Sequence, residues 1–276
     1  MKRTVQLLTL GILVIGIVAC SFFSKTTENK QIVLGSTGSD AQIWKFIAQS
    51  KAAKDEHLNI VVKEINDGVA LNNATLENEI DVNAFQSWGY FKVYNQAHQQ
   101  QLQAIATTYL EPMGLYSKKY KSLKDLPTGA SVVIPSDPAN TVRALKLLQK
   151  ADLIQLTQNF NALTGNVQDI VSNPKQLKIT LVQGGTAPRA LTDVDLVAIG
   201  NTDALESGLD VTHDALFYEK VDQSVGDNIN ILVVNKQKAQ DPDLLKLAKL
   251  YHQPFVKDYI QKHFKGTKID VNQPLI

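Results

Sequence analysis

Ser131-Val132-Val133-Ile134-Pro135-Ser136-Asp137-Pro138-Ala139-Asn140-Thr141-Val142-Arg143-Ala144-Leu145 reads from a strand straight into a helix. Ser131 to Ile134 is β-branched and apolar, the composition of a buried strand. Asp137 stands where a helix cap belongs. Pro138 follows at the first helical position, where its missing N–H costs nothing. Val142, Leu145 and Leu148 then supply the apolar stripe of that helix.

The same order recurs along the chain. Ile32-Val33-Leu34 is a short apolar run stopped by Gly35, and Ser39 or Asp40 can cap the helix that carries Ile43, Phe46 and Ile47. Further strands are expected at 59–65, 80–85, 102–107, 113–116, 177–182, 194–199 and 229–234. Helical patterns cover 87–100 and 241–264, the second broken at Pro254. Strands alternating with helices predict an α/β fold with largely parallel sheets. The pattern restarts near Ser117–Lys124, which suggests two domains. The chain would leave the first there and return through 229–234. That division assigns 31–116 plus 226–276 to one lobe and 117–225 to the other.

The N-terminus carries a different signal. Met1-Lys2-Arg3-Thr4 is basic, Leu7 to Ala19 is almost uninterrupted apolar sequence, and Cys20, the one cysteine of the chain, closes the run. This is the layout of a secretory signal over 1–19. The run is shorter than the ~20 residues a membrane span needs. A lone Cys at the cleavage point resembles a bacterial lipobox. The resemblance implies that Cys20 is diacylated on sulfur, begins the mature chain and tethers it to a membrane. Residues 20–30 are then a polar, lipidated tether.

The chain has 276 residues and a formal charge of +1, which includes Lys2 and Arg3 of the signal. The mature protein is therefore slightly acidic, with no basic field for nucleic acid. Its length suits two compact domains or one large one. The chemistry of an enzyme is missing. His57, His98, His213, His252 and His263 include no i, i+4 pair and none stands beside a cysteine, so no metal site is expected. Gly35-Ser36-Thr37-Gly38-Ser39 lacks the Lys of a P-loop and reads as a strand-to-helix turn whose amides can face a ligand. We expect no catalysis and no cofactor.

Five segments in order carry a resemblance: Asp81-Val82-Asn83-Ala84-Phe85-Gln86, Tyr116 to Ala130, Ile134 to Leu145, Asn173 to Ile179, and Pro188 to Asp195. Together they resemble the NlpA/MetQ family of substrate-binding lipoproteins, over nearly all of 30–276. The resemblance implies a two-lobed, periplasmic-binding-protein-like fold with a ligand cleft between the lobes. It implies a monomer that takes a free amino acid, methionine first, and passes it to a membrane ABC permease and its ATPase. The location implied is the cell envelope.

By the same resemblance Arg143 binds the ligand carboxylate. Phe85 and Tyr90 flank its side chain, and Asn228 contributes a polar contact. The plain readings beside these are a solvated helix charge, core packing and a turn residue. The chain departs from the family at Gly68, where an aromatic is expected, and at Ser87, where a histidine is expected. It departs again at Gly200, where the expected Asn falls one place later as Asn201. Gly184-Gly185-Thr186-Ala187 replaces Ala-Ala-Gln-Leu. Trp88 stands where it can refill lost aromatic volume. The departures imply a retained carboxylate anchor with an altered side-chain pocket, for methionine, another amino acid or a short peptide. An envelope lipoprotein acting as adhesin or structural antigen is the reading from a different class.

Overall fold

The computed structural model describes residues 30–220 and 226–275. The expected signal, Cys20 and the tether up to residue 29 lie outside the described residues. The chain begins with β1 (Gln31–Ser36), α1 (Gly38–Gln49), the short α2 (Lys51–Asp55), β2 (Asn59–Glu64), α3 (Gly68–Leu76), β3 (Val82–Ser87), α4 (Trp88–Ala97) and β4 (Leu102–Leu110). It continues through β5 (Met113–Tyr116), β6 (Ser131–Pro135), α5 (Pro138–Lys150), β7 (Gln155–Leu156), β8 (Ile170–Ser172) and β9 (Lys178–Val182). After a 3-10 turn over Gly184–Thr192 come β10 (Leu196–Gly200), α6 (Asn201–Glu206) and β11 (Ala215–Tyr218). The last elements are β12 (Ile229–Asn235), α7 (Pro242–Tyr251), α8 (Pro254–Phe264) and β13 (Ile269–Asp270).

These form two α/β lobes. One sheet has the order β13-β4-β12-β3-β1-β2, the other β11-β5-β10-β6-β9. Each has a parallel half, β3-β1-β2 and β10-β6-β9, built by strand–helix crossovers. The rest is antiparallel, which corrects the expectation of largely parallel sheets. β12 enters from the other lobe and runs against β3 and β4. β5 runs against β10 and β11 for the same reason.

Sheet membership also moves the domain boundary. Met113–Tyr116, assigned from sequence to the first lobe, is β5 of the second sheet, so the chain crosses at Glu111-Pro112. The polar stretch 117–124, read as the crossing, is a surface loop within the second lobe. The true crossing runs between two apolar strands and leaves no change of composition to read. The start of α1 shifts as well. Thr37 is its N-cap, and Asp40 lies buried in its first turn with a different task.

Each lobe has its own core. Ile32, Leu34, Trp44, Ile47, Leu232, Leu247, Tyr251 and Val256 belong to the largest cluster of the first lobe. Leu115, Val132, Ile134, Leu145 and Leu148 pack on one face of the second sheet, and Val133, Val197, Ile199 and Leu191 on the other. All seven residues of β12 are buried, as suits a central strand.

Asp81 to Gln86 shows why this stretch of sequence is so constrained. Asp81 accepts from the Val33 amide at 2.8 Å and pairs with Lys238 at 2.8 Å. Asn83 donates to Thr75 at 2.7 Å and to Asn72 at 3.1 Å, while Gln86 donates to Asn72 and Asn83 at 2.7 and 2.8 Å. All four members of this amide network are buried, so each bond compensates a desolvated group. The network locks α3 onto β3, and Phe85 is thereby held at the strand end. Asn83→Ala should cost about 1–3 kcal/mol, because it leaves one buried Gln86 N–H without an acceptor and removes the bonds to Thr75 and Asn72. A lowered urea midpoint with an unchanged far-UV spectrum is the expected result; an unmoved midpoint would mean the network is dispensable.

Candidate functional site

In open α/β sheets, ligands bind outside the carboxyl ends of the parallel strands. Here β1, β2 and β3 end at the starts of α1, α3 and α4, and β6 and β10 end at the starts of α5 and α6. The two sets face each other across the lobe interface. Ser39 meets Thr202 at 3.2 Å, and Gln183 reaches Asp67 at 3.4 Å. Gly38 has φ +49°, and a Cβ there would collide with the Glu206 carboxylate. Only glycine permits this approach.

Beside this interface is a cavity of about 340 Å³ lined by Ser87, Gly89, Asn140, Arg143, Glu219 and Asn228, among others. Three of the eight expected ligand residues therefore meet here: Ser87, Arg143 and Asn228. Ser87 caps α4 by accepting from the Tyr90 amide at 3.3 Å. Gly89 lets the returning chain approach, since a Cβ would stand 3.2 Å from the Asp227 carbonyl oxygen.

Arg143 is not a free cation. Its Nε donates to both oxygens of Glu219 at 3.0 Å, and its Nη2 donates to Glu219 and to the Glu111 carbonyl, each at 2.6 Å. Glu219 also accepts from the Met113 amide at 2.9 Å and from Asn228 at 3.4 Å. The two side chains are only 11% and 10% exposed. Burial pushes the guanidinium pKa down, but the charge and hydrogen bonds of Glu219, together with Glu111 and Tyr109, outweigh it and the net shift is upward. Among the described residues Nη1 makes no hydrogen bond, so its two N–H groups are uncommitted.

Phe85 and Tyr90 stand together, edge to face with centroids 5.7 Å apart. A Cβ on Gly68 would lie 2.7 Å from Phe85 and 2.8 Å from the Tyr90 hydroxyl. Gly68 is thus no gap in the aromatic wall; the two rings fill the space a side chain would take. Burial, then Asp137 and Asp67, push the Tyr90 hydroxyl well up, so it stays a neutral donor.

Two expected ligand residues are elsewhere. Trp88 packs on Phe91, 5.3 Å between centroids, in a cluster with Tyr94, Leu102 and Ile231. It cannot refill the pocket, because the first turn of α4 aims it at the sheet. Asn201 opens α6, fully buried, and its Nδ2 donates to Glu111 at 3.1 Å and approaches Thr267. The helix start turns its amide toward the linker.

Sequence reasoning missed a second buried ionic cluster. Lys268 Nζ, with no exposure, bonds Asp40 at 2.8 Å, Glu111 at 2.7 Å and Thr202 at 3.0 Å, and lies 4.0 Å from the Tyr109 ring centroid. Burial pushes the Asp40 carboxyl up to about 6 even with Lys268 opposing it. Asp203 was missed too. It lies in the first turn of α6, with its oxygens 3.7 and 3.8 Å from where Cβ atoms would stand on Gly184 and Gly185. Burial first, then Glu111, Glu206, Asp137 and Asp40, push its carboxyl up to about 7.

The family described as NlpA lipoprotein matches residues 32–272. The chain belongs to the NlpA lipoprotein family. Lipoprotein 28 of Escherichia coli K12 is 32% identical over 273 residues, 98% of this chain and 99% of its own. The D-methionine-binding lipoprotein MetQ of the same organism is 34% identical, over 84% of each chain. Among solved structures, a nutrient binding protein from Burkholderia cenocepacia bound to methionine superimposes with a TM-score of 0.82 at 37% identity, covering 87% of this chain and 99% of that one. The resemblance read from five segments therefore holds over the whole folded region of this NlpA lipoprotein.

Arg143 in this NlpA lipoprotein serves the fold as well as the cavity. Arg143→Ala leaves Glu219 buried without its cation and should cost roughly 3–5 kcal/mol of stability. Arg143→Met combined with Glu219→Met should recover most of that loss. Calorimetric melting of the three proteins decides it, and a single variant as stable as the parent would show that the pair is not needed.

Proposed function

We propose that this protein is the lipid-anchored solute-binding component of an ABC importer, that it captures one free amino acid between its lobes, and that methionine is the first candidate. The observation that carries this reading is the cavity beside the lobe interface, where the Arg143 guanidinium, held by Glu219, stands with Ser87, Asn140 and Asn228. The free Nη1 edge suits an α-carboxylate, and Asn228 and Ser87 add neutral polar contacts. The Phe85 and Tyr90 rings, outside the lining of that cavity, suit the apolar or thioether side chain of a ligand that reaches them. The relative named D-methionine-binding lipoprotein and the methionine-bound Burkholderia neighbour support the ligand class.

The lobes hinge where the chain crosses twice, at Glu111-Pro112 and between β11 and β12, and the closed pair is what a membrane permease and its ATPase receive. The protein works as a monomer, holds its ligand without altering it, and is fixed to the envelope membrane by lipid on Cys20 after removal of residues 1–19. A second ligand class, another amino acid or a short peptide, is favoured by one observation. The cavity runs on past Arg143 along α5 to Lys146 and Lys150, and reaches Leu163 in the loop after β7.

Titration calorimetry of the full chain with methionine should give one site per chain, and small-angle scattering should show the radius of gyration falling at saturation. A panel of amino acids and dipeptides that leaves both signals flat would contradict the reading. Cys20→Ala should abolish the membrane association of the mature protein. A variant that still fractionates with membranes at the mature mass would remove the lipid anchor from the account.

A further inference from the structure

A second cavity, of about 670 Å³, lies on the first lobe between β4, α7 and the C-terminal residues 272–275. It shares no lining residue with the cavity beside Arg143. Ile105, Ala106, Leu245, Ala248, Pro274 and Leu275 form its apolar wall. Ala248 is buried, Ile105, Ala106 and Leu245 are half-buried, and Leu275 is 37% exposed. The polar groups at its base are already committed. His252 has Nδ1 2.7 Å from Asp270 and Nε2 3.0 Å from the Thr107 carbonyl. The Thr107 hydroxyl donates to the Val271 carbonyl at 2.7 Å and accepts from the Gln273 amide at 3.2 Å. The remaining polar side chains, Lys249, Gln253, Asn272 and Gln273, are exposed. Inside that rim the groove offers apolar area and few hydrogen bonds, so it suits an apolar occupant.

The chain itself brings one. The described residues begin at Lys30, whose ammonium lies 3.4 Å from Asp241, the N-cap of α7. That helix lines the groove: Leu245 and Lys249 stand one and two turns beyond Asp241, ~6 and ~12 Å along the axis. Ahead of Lys30 the tether reads Ser21-Phe22-Phe23-Ser24-Lys25-Thr26-Thr27-Glu28-Asn29. Phe22 and Phe23 are its only apolar residues, and a polar tether has no need of two adjacent rings in water. The stretch from Phe23 to Lys30 spans up to ~23 Å when extended, well beyond the distance required.

We propose that the groove between α7 and β4 is the seat of Phe22 and Phe23. The rings leave water and cover Leu245 and Leu275. Docking itself needs no lipid. Its consequence rests on the lipid-anchor reading: only Ser21 separates the seated rings from an acylated Cys20, so the first lobe stands against the membrane in one attitude.

The test puts a photo-crosslinker on the tether, Phe23→p-benzoylphenylalanine in the full chain, irradiated in the producing cells, with crosslinked peptides mapped by mass spectrometry. The expected crosslinks join the tether to 105–107, 245–253 or 272–275 of the same chain. Leu245→Glu, with calorimetric melting as the check on its fold, should cut them at least about tenfold by placing a charge against the rings. Hydrogen exchange gives a second reading that alters no described residue. Phe22→Ser with Phe23→Ser should speed exchange of the Gln273 amide, in the wall of the groove, by about tenfold or more. Crosslinks to lipid, to another face of this chain or to a second copy, in place of the groove, overturn the proposal. So does a Gln273 amide that exchanges equally in parent and double variant. The crosslink is read in every cell fraction, so a chain found unanchored but labelled in the groove loses the membrane consequence and keeps the seat.

Discussion

Glu111 is the residue on which the arrangement of the lobes depends. It stands where β4 hands the chain to β5, and it is held from both sides. Its carboxylate takes Lys268 from the first lobe and Asn201 and Thr202 from the second. Its carbonyl takes Arg143 from α5. Arg143 in turn grips Glu219, on the second stretch of chain that passes between the lobes. Both crossings are thus braced by a carboxylate with a cation from another segment. Burying so many charges is costly unless every one is matched, and it fixes geometry more than it adds stability. Here it fixes the direction in which Arg143 points and ties each crossing to both lobes.

The same braces set the charge of the cleft. A guanidinium alone between the lobes would attract any anion. Paired with Glu219, it carries little net charge, and among the described residues only Nη1 is left uncommitted.

Much of this was legible in the sequence, for local reasons. Asp137-Pro138 marks a helix start by its chemistry, and α5 begins there. Arg143, Ser87 and Asn228 were placed by resemblance to the family and do line one cavity. The motifs that carry the resemblance turn out to be mostly staples of the fold. Asp81 to Gln86 ties β3 to α3, Asp195 accepts from the Ser131 amide and hydroxyl at 2.8 Å, and Lys175 donates to the Lys124 carbonyl at 2.9 Å. What was not legible is long-range. Lys268 and Asp40 are far apart in the chain, and neither has a local pattern that names its partner. The crossing at Glu111-Pro112 hides between two apolar strands. Gly68 read as a missing wall because the sequence cannot show that Phe85 and Tyr90 lean into its place. Trp88 and Asn201 were drawn toward the cleft by position, while the helix starts they sit on turn them away.

The central claim is that the cavity edge of Arg143 takes a ligand carboxylate while Glu219 keeps the rest of the guanidinium. A crystal structure of the protein saturated with methionine tests it most directly. The account predicts one molecule between the lobes, its carboxylate on Arg143 Nη1, with the Arg143–Glu219 pair and its bonds to Glu111 unchanged. A carboxylate bound away from Arg143, or an arginine that leaves Glu219 to reach it, would contradict the account.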